Sequence, residues 1–362
     1  MTADGTILLT GAAGFVGSAT RRALAERGAR LRLLVHQRPV PRGAAGAAGS
    51  VVRGDVTDPA SLRGVCEGVA TVLHLASYIG EDPQRCAAVN AAGTRALVAE
   101  ARRAGVRRFV LLSTAAVYGL GPHRGAAESA LRPDPVSVTS RSRLAAEEAV
   151  LAAGGTVLRP HFVYGEGDRW FVPGVAALLR RSPVWPAGGR ARLSVVSVED
   201  LATVVADLAT GPWQGGGGEV FHVCEPEPVR LREVGERVGG VLGVAVPRWG
   251  LPLWLVRRLA RATAADAQRL ARVATDHWYD SSRIWQRVGH GPQHAFRERF
   301  AAHAAWYRDA AAGDGEPAAA DTAAAAGRGP GVRPGPGPGP RATGAGPGGE
   351  ARPGAAGAGP GR

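Results

Sequence analysis

Lysine is absent from this sequence, and cysteine is scarce. All 44 basic residues of the 362-residue chain are therefore arginine. We attribute this usage, together with the abundance of Ala, Gly and Pro, to the coding bias of a GC-rich genome. The three cysteines, Cys66, Cys86 and Cys224, are odd in number and widely spaced. This spacing argues against a disulfide framework or a zinc site and is typical of reduced thiols, so we predict no metal.

Long hydrophobic runs are also missing. No stretch approaches the roughly 20 apolar residues that a membrane-spanning helix needs, and the first residues lead into a predicted strand without a basic and apolar signal pattern. We therefore expect a cytoplasmic protein with no membrane partner. The formal net charge is +13, but the arginines are scattered and no basic block is interleaved with aromatic residues, so we predict no nucleic-acid partner.

Short apolar strands alternate with helical stretches over the first 160 residues. The pattern predicts strands at 6–10, 31–35, 50–53, 71–75, 108–113 and 156–159, and helices ending near residue 27 and spanning 83–104 and 136–153. Strands separated by helices predict an α/β fold with a doubly wound parallel sheet, the Rossmann architecture. We place this domain at residues 1–164.

Shorter elements separated by Pro and Gly follow, and we assign residues 165–310 to a smaller substrate-binding subdomain from which some segments return to the sheet. All eight Trp lie after residue 159, which is consistent with packing of an irregular core or with a cleft for a bulky, flat ligand. The arginine-bearing stretch 251–274 is interpreted as a helix covering this core rather than as a membrane-surface helix. Residues 311–362 are dominated by Gly, Ala and Pro and predict a disordered tail.

Three glycines, Gly11, Gly14 and Gly17, lie between the first strand and the first helix. Glycine at this spacing lets the backbone approach a pyrophosphate, while free amides at the start of the helix attract its charge. We therefore predict a dinucleotide bound along this loop, including Ala13, Phe15 and Val16.

The second strand ends without the acidic residue that NAD-selective sites use to bind the adenosine ribose. His36 stands there instead, and Arg38 is able to form a bidentate contact with a 2′-phosphate, with Arg42 as a second candidate. The predicted cofactor is therefore NADPH, in preference to NADH.

Further motifs accompany the glycine loop: Gly54 to Asp58, His74 to Ala76, Asn90 with Gly93 and Thr94, Ser113 to Gly119, and Leu158 to Gly165. Together with Thr10 to Gly17 they resemble the extended short-chain dehydrogenase/reductase family over residues 5–308. This family includes nucleotide-sugar epimerases, dehydratases and 3β-hydroxysteroid-type dehydrogenases.

The resemblance implies three more contact regions for the dinucleotide. They are Asp55 and Val56 at the adenine, Leu75, Ala76 and Ser77 under the nicotinamide ribose, and Pro160, His161 and Val163 at the nicotinamide amide.

The catalytic pair of the resembled family is replaced in this chain. The family uses a Tyr as general acid and a Lys four residues later, beside a Ser or Thr that orients the carbonyl. Ser113 and Thr114 occupy the orienting place, but Thr139 stands where the Tyr belongs and Arg143 where the Lys belongs. A threonine hydroxyl is too weakly acidic, and a guanidinium too firmly protonated, to replace the acid well. Arg143 still offers donors to the nicotinamide ribose. Tyr78 and His161 are alternative proton donors, but we interpret Tyr78 first as a pocket wall and His161 first as a cofactor contact.

The intact cofactor motifs and the altered acid leave three hypotheses open. The first is an NADPH-dependent ketoreductase for a large aromatic ketone, whose proton comes from a neighbouring phenol of the substrate; here the chain resembles atypical ketoreductases of actinomycete antibiotic pathways, which act on aromatic polyketides. The second is a nucleotide-sugar epimerase or dehydratase with a displaced acid. The third is a cofactor-binding regulatory protein without catalysis. The oligomeric state is left open.

Overall fold

The computed structural model describes residues 5–46, 49–212, 217–259 and 270–313. Its strands are β1 (Thr6–Thr10), β2 (Leu31–Val35), β3 (Ser50–Arg53), β4 (Val69–His74), β5 (Arg108–Leu112), β6 (His123–Ala126), β7 (Thr156–Pro160), β8 (Phe162–Tyr164), β9 (Trp185–Pro186), β10 (Arg192–Leu193), β11 (Val195–Ser197), β12 (Glu219–Val223), β13 (Val229–Arg230), β14 (Gly250–Leu251) and β15 (His277–Tyr279).

The α-helices are α1 (Phe15–Glu26), α2 (Pro83–Cys86), α3 (Gly93–Arg103), α4 (Val138–Ala152), α5 (Phe171–Arg181), α6 (Val198–Thr210), α7 (Leu231–Leu242), α8 (Leu253–Leu259), α9 (Ser282–Val288), α10 (Phe296–Ala302) and α11 (Ala304–Gly313). A π-helical stretch, Ala87–Ala92, joins α2 to α3. Short 3-10 turns occupy Pro59–Leu62, Ala115–Tyr118, Glu128–Ala130 and Ala187–Gly189.

Seven parallel strands form the central sheet in the order β3-β2-β1-β4-β5-β7-β12. The interior strands are apolar on both faces because helices cover both, as in β1, where Ile7, Leu8 and Leu9 are buried. The predicted doubly wound α/β fold is therefore confirmed. All seven strands point their carboxyl ends to one edge, where open α/β sheets bind ligands.

Two segments from beyond residue 165 pack on the central sheet and its helices. Strand β12 pairs with β7 at the edge of the sheet, and helix α6 packs against α1. The α6 face is apolar, with Val198, Leu201 and Val205 fully buried. The later part of the chain thus returns to the central sheet.

Beside the central sheet lie a four-stranded sheet, β13-β10-β15-β6, two two-stranded pairs and helices α5, α7, α10 and α11. Strand β6 comes from the first 164 residues, so this sheet joins segments from both sides of the predicted domain boundary. The tryptophans of the chain differ in exposure. Trp185 and Trp285 are buried. The Trp185 indole nitrogen donates to the Pro247 carbonyl at 2.8 Å, and the Trp285 indole nitrogen donates to the Cys224 carbonyl at 2.9 Å. Trp170, Trp249 and Trp254 are exposed. Trp213 lies outside the described residues.

The last described helix runs to Gly313, three residues into the predicted tail. The rest of that tail, 314–362, lies outside the described residues, as do residues 260–269 of the helical stretch predicted over 251–274. Among the helices that the structure describes, none combines the length and the apolarity needed to cross a bilayer.

Candidate active site

The glycine loop is packed so closely that side chains are excluded from it. Gly11 has φ +72° and lies against the backbone of Ala76, where a Cβ would come within 2.7 Å of the amide nitrogen. A Cβ on Gly17 would come within 2.0 Å of the Gly11 carbonyl oxygen. The first turn of α1 has neither an acidic residue nor a side-chain cap, so its amides face the loop uncompensated. This geometry fits the diphosphate of a dinucleotide.

The adenosine end of the loop lies at the ends of β2 and β3. His36 and Asp55 meet there, with imidazole Nε2 3.3 Å from the carboxylate. Arg38 and Arg42 are exposed on the loop that follows. Val56 packs against Gly93. A Cβ added at Gly93 would lie 2.9 Å from Val56 Cγ2, so the glycine allows helix α3 to pack directly on this predicted adenine contact.

A buried hydrogen-bond chain fixes the start of the loop after β4. His74 joins Thr10 Oγ1 at 2.7 Å through Nδ1 and Thr94 Oγ1 at 3.0 Å through Nε2. Thr10 Oγ1 in turn accepts from the Ala76 amide at 3.1 Å. Burial, with a smaller contribution from the charge of Arg143, lowers the pKa of His74 to about 4. The neutral imidazole ties the glycine-loop strand to the predicted ribose-contacting loop.

Asn90, in the π-helical stretch, fixes the middle of the same loop. Its side chain accepts from the Tyr78 amide at 2.8 Å and donates to the Tyr78 carbonyl and the Ser142 hydroxyl, both at 2.9 Å. The Tyr78 ring is covered by the Arg85 guanidinium, 4.4 Å from its centroid.

Thr139, where the resembled family has its Tyr, is also used to hold this loop. Its hydroxyl donates to the Gly80 carbonyl at 2.8 Å and accepts from the Gly80 amide at 3.3 Å. Helix α4 begins at Val138 because Ser137 and Ser140 form a reciprocal capping box, which places Thr139 in the first turn facing the loop. The hydroxyl proton is therefore engaged with the backbone.

Arg143, one turn further along α4, binds the base of the loop. Its guanidinium donates to Ser77 Oγ at 2.5 Å and to the Leu112 carbonyl at 2.9 Å. Burial lowers its pKa to about 10, against the opposing effect of Glu147, so it is a cation at neutral pH. Arg143 thus joins the predicted ribose contact Ser77 to the end of β5, directly before Ser113 and Thr114.

The two hydroxyls of the orienting pair have different environments. Thr114 is half-buried and caps the turn Ala115–Tyr118 by accepting from the Ala116 amide at 3.2 Å. Ser113 is buried and donates to Glu147, which is paired with Arg159. Arg159 also donates to the Tyr118 hydroxyl at 2.6 Å, and that hydroxyl contacts His222 at 2.8 Å. Of the two hydroxyls, that of Ser113 is part of this buried network and that of Thr114 lies outside it.

His161 lies past the end of β7 among other aromatic rings. It stacks on His277 with centroids 5.4 Å apart, and Tyr279 lies edge-on at 5.5 Å. Burial, reinforced by His277, keeps the pKa of His161 well below its usual range. No hydrogen-bond partner for Nε2 is found among the described residues. Pro160 is buried at the end of β7, and Val163 lies half-buried in β8.

The structure therefore brings Ser77, Thr139 and Arg143 together around one loop, and His36 together with Asp55. Tyr78 and His161, the alternative donors, have other contacts: Arg85 covers the Tyr78 ring, and His161 stacks on His277. Sequence reasoning missed the roles of Thr10, Glu147 and Ser142. Glu147 lies four residues after Arg143 on a helix, a spacing that predicts a pair between them, but in the structure Glu147 binds Ser113 and Arg159. That spacing was therefore no guide to its role. No group of three or more metal-ligating side chains occurs in the described ranges.

Comparisons with known proteins found relatives of this chain in sequence and in fold. The chain is 27% identical to a 2-alkyl-3-oxoalkanoate reductase of Stenotrophomonas maltophilia, over 81% of this chain and 96% of that protein. It is 29% identical to a 4-hydroxy-2-methyl-3-oxo-4-farnesyl-3,4-dihydroquinoline-1-oxide ketoreductase of Stigmatella aurantiaca, over 73% and 84%. A solved structure of MoeE5 in complex with UDP-glucose and NAD has the same fold, with a TM-score of 0.66 and 24% identity over 85% of this chain and all of that one.

The sequence profile of one family covers the glycine loop, the sheet and the catalytic positions. The description of this family is NAD dependent epimerase/dehydratase, and the match runs over residues 7–224, from β1 to the end of β12. Both relatives above are reductases by name. The chain therefore belongs to the NAD dependent epimerase/dehydratase family.

Proposed function

We propose that this protein is an NADPH-dependent ketoreductase that acts on a large aromatic ketone bearing a phenol beside the carbonyl. The observation that carries the proposal is the use of Thr139 and Arg143: both bind the loop after β4 and neither offers an acidic proton. A bound reduced nicotinamide supplies the hydride. Arg38 and Arg42 support NADPH as its source because they give the adenosine region a cationic end.

In this proposal the chain positions the reactants and the substrate carries the acid. Thr114 orients the carbonyl oxygen, and Arg143 keeps Ser77 and the loop in place beneath the ribose. The carbonyl carbon gains the hydride while its oxygen takes the proton of the adjacent phenol, and the phenolate regains a proton from water. A positioned general acid is worth about 10² to 10⁴ in rate, so a substrate that contains its own acid removes the need for the family tyrosine.

The relatives support a ketone as the substrate class. One is named for a ketone on a quinoline ring system and the other for a 3-oxoalkanoate. Within polycyclic ketones we propose an angucyclinone-like aromatic polyketide of antibiotic biosynthesis, of the kind reduced by the simocyclinone ketoreductase. Two features support this choice: the sequence resembles atypical polyketide ketoreductases, and it lacks the family tyrosine.

The test is NADPH oxidation with a peri-hydroxylated polycyclic ketone and with its methyl ether. We expect turnover of the phenol, a loss of at least about 100-fold with the ether, and a change of less than about tenfold in the Thr139→Ala variant. The matched control Thr114→Ala removes the orienting hydroxyl and lowers kcat for the phenol.

Two results would contradict the proposal. Abolished turnover in a Thr139→Ala variant that is folded and binds NADPH as the wild type does would show that the protein hydroxyl, and not the substrate phenol, is essential for proton transfer. Tight NADPH binding without turnover of any such ketone would favour a regulatory protein.

A further inference from the structure

Two tryptophans of one short segment are the most exposed of the large apolar side chains in the described residues. Trp249 is 77% exposed and Trp254 is 67% exposed. Indole side chains bury large areas when a partner is present and are enriched where one end of the ring is wet and the other apolar. The exposed pair Trp249 and Trp254 therefore indicates a surface that contacts a partner.

The backbone of this segment is anchored to the body of the protein. The Trp185 amide donates to the Trp249 carbonyl at 2.8 Å, and β14 pairs with β9. Gly250 packs against Gly188, where a Cβ would lie 2.5 Å from the Gly188 Cα. Val256 is buried at 7% exposure, which seats α8 on the core. The indoles of Trp249 and Trp254 are thus held outside the fold by a fixed backbone.

Along the sequence the charge beside these indoles is of one sign. In space Glu236 is the nearest carboxylate on α7 that the contacts show, and it is paired at 3.3 Å with Arg232, which donates to the Arg248 carbonyl at 3.2 Å. Between residues 238 and 265 the sequence has four arginines, Arg248, Arg257, Arg258 and Arg261, and no acidic residue. Arg248 and Arg258 are exposed beside the two tryptophans. Aromatic side chains flanked by arginine have the composition of segments that lie in the interface of an anionic bilayer.

We propose that the segment 247–258 docks on the surface of an anionic phospholipid membrane, with Trp249 and Trp254 inserted at headgroup depth and Arg248 and Arg258 on the lipid phosphates. Such docking needs no membrane-spanning helix. It departs from our expectation of no membrane partner and from our interpretation of the stretch 251–274 as a helix that only covers the core. Apolar ketones partition into bilayers, and docking would place the protein where they concentrate. The proposal rests on the exposed segment and is independent of the proposed reductase activity.

The experiment is co-sedimentation of the full chain with vesicles of phosphatidylglycerol and phosphatidylcholine, and with vesicles of phosphatidylcholine alone. We expect binding to the anionic vesicles that weakens in about 0.5 M salt, where surface charges are screened. The double variant Trp249→Ala/Trp254→Ala should lose at least about tenfold in partitioning. Because this variant keeps every arginine of the chain, the loss would report the indoles alone.

Trp170→Ala is the matched control, since Trp170 is an exposed tryptophan outside the segment, at 54%, and it should bind as the wild type does. Unchanged thermal unfolding and NADPH affinity will show that each variant is folded. The proposal is wrong if the wild type does not bind anionic vesicles, if the double variant binds as well as the wild type, or if Trp170→Ala loses as much. It is also wrong if light scattering shows that the two tryptophans join two copies of this chain instead.

Discussion

At the scale of single residues, the central finding is that two positions of the family's catalytic set serve the loop after β4. Thr139 binds Gly80 through both its donor and its acceptor, and Arg143 binds Ser77 and the Leu112 carbonyl. Each contact positions the segment that is expected to lie beneath the nicotinamide ribose. The residues are therefore positioning residues in this geometry, and substitutions separate that role from catalysis.

Replacing Thr139 by Val keeps the shape of the side chain but removes its hydroxyl. Two hydrogen bonds to Gly80 are lost and a partly buried amide and carbonyl lose a partner, so we expect the free energy of unfolding to fall by about 1–2 kcal/mol. Urea unfolding measures this change. The control Thr139→Ser keeps the hydroxyl and should stay near the wild type; equal stability of the Val variant would show that the two bonds contribute nothing.

Replacing Arg143 by Ala should weaken NADPH binding because it frees Ser77 and removes a cation next to the ribose region. Hydrogen bonds to charged groups contribute about 1.5–3 kcal/mol, so we expect a rise in Kd of roughly 10- to 100-fold. Isothermal titration checks this value. Arg141→Ala, an exposed arginine of the same helix, should bind NADPH normally, and a similar loss in that variant would refute a specific role of Arg143.

At the scale of elements, much of the sheet was predictable and the details of its loops were not. Strands β2 and β3 begin and end at the predicted residues because apolar runs bounded by turn residues define them locally. Strand β4 begins at Val69, two residues early, and ends at His74. The helix predicted over 83–104 contains a π-helical stretch at Asn90, because that side chain bonds to Tyr78 and Ser142 across the site. Such long-range pairing leaves no periodic signal.

The contacts of Thr139 and Arg143 are likewise not visible in the local sequence pattern. Their spacing on a helix is visible in the sequence, but their partners Gly80 and Ser77 are about 60 residues away. The sequence therefore predicts which residues stand in the catalytic places, and only the fold shows what they bind.

The turn from β1 into α1 has no room for a methyl group at its third glycine. In Gly17→Ala the new Cβ would lie 2.0 Å from the Gly11 carbonyl oxygen, so the helix must move away from the loop. We expect a loss of more than about 2 kcal/mol in unfolding free energy and of NADPH binding.

Gly174→Ala is the control for this substitution. Gly174 is exposed in α5, and no atom lies within 4 Å of the place that the new methyl group would occupy. Alanine there should stabilise the helix by about 0.5–1 kcal/mol. Thermal unfolding of both variants tests the pair, and equal effects would contradict the packing argument.

At the scale of the whole molecule, buried histidines dominate the expected response to acid. Burial lowers the pKa of His74 and His123 to about 4, and it also lowers the pKa values of His161, His222 and His277. The pKa values of these side chains are therefore lower in the folded protein than in the unfolded chain, where histidine takes up a proton below about pH 6.5. Unfolding therefore takes up protons, and stability falls as the pH drops from about 6.5 towards 4.

Glu225 opposes this trend. Burial raises its pKa to about 7, so the folded state holds one proton more than the unfolded state between about pH 4.5 and 7. Asp168 acts in the same sense as Glu225, because burial raises its pKa as well. With five histidines against these two carboxyl groups, we expect the unfolding free energy to fall as the pH drops through about 5.5, by about 1.4 kcal/mol per pH unit for each net proton taken up. Urea unfolding at several pH values measures the slope, and His277→Gln should reduce it. A slope at or below zero would show that the histidines are not buried as described.

The bonds between Thr139 and Gly80 also constrain how this protein can change over time. A single substitution that introduces tyrosine at position 139 removes both of those bonds, so the gained acid would arrive together with a released loop. A useful tyrosine at position 139 would therefore need a second change that holds the Gly80 loop by other contacts. In genetic terms, we expect position 139 and the loop after β4 to be epistatic.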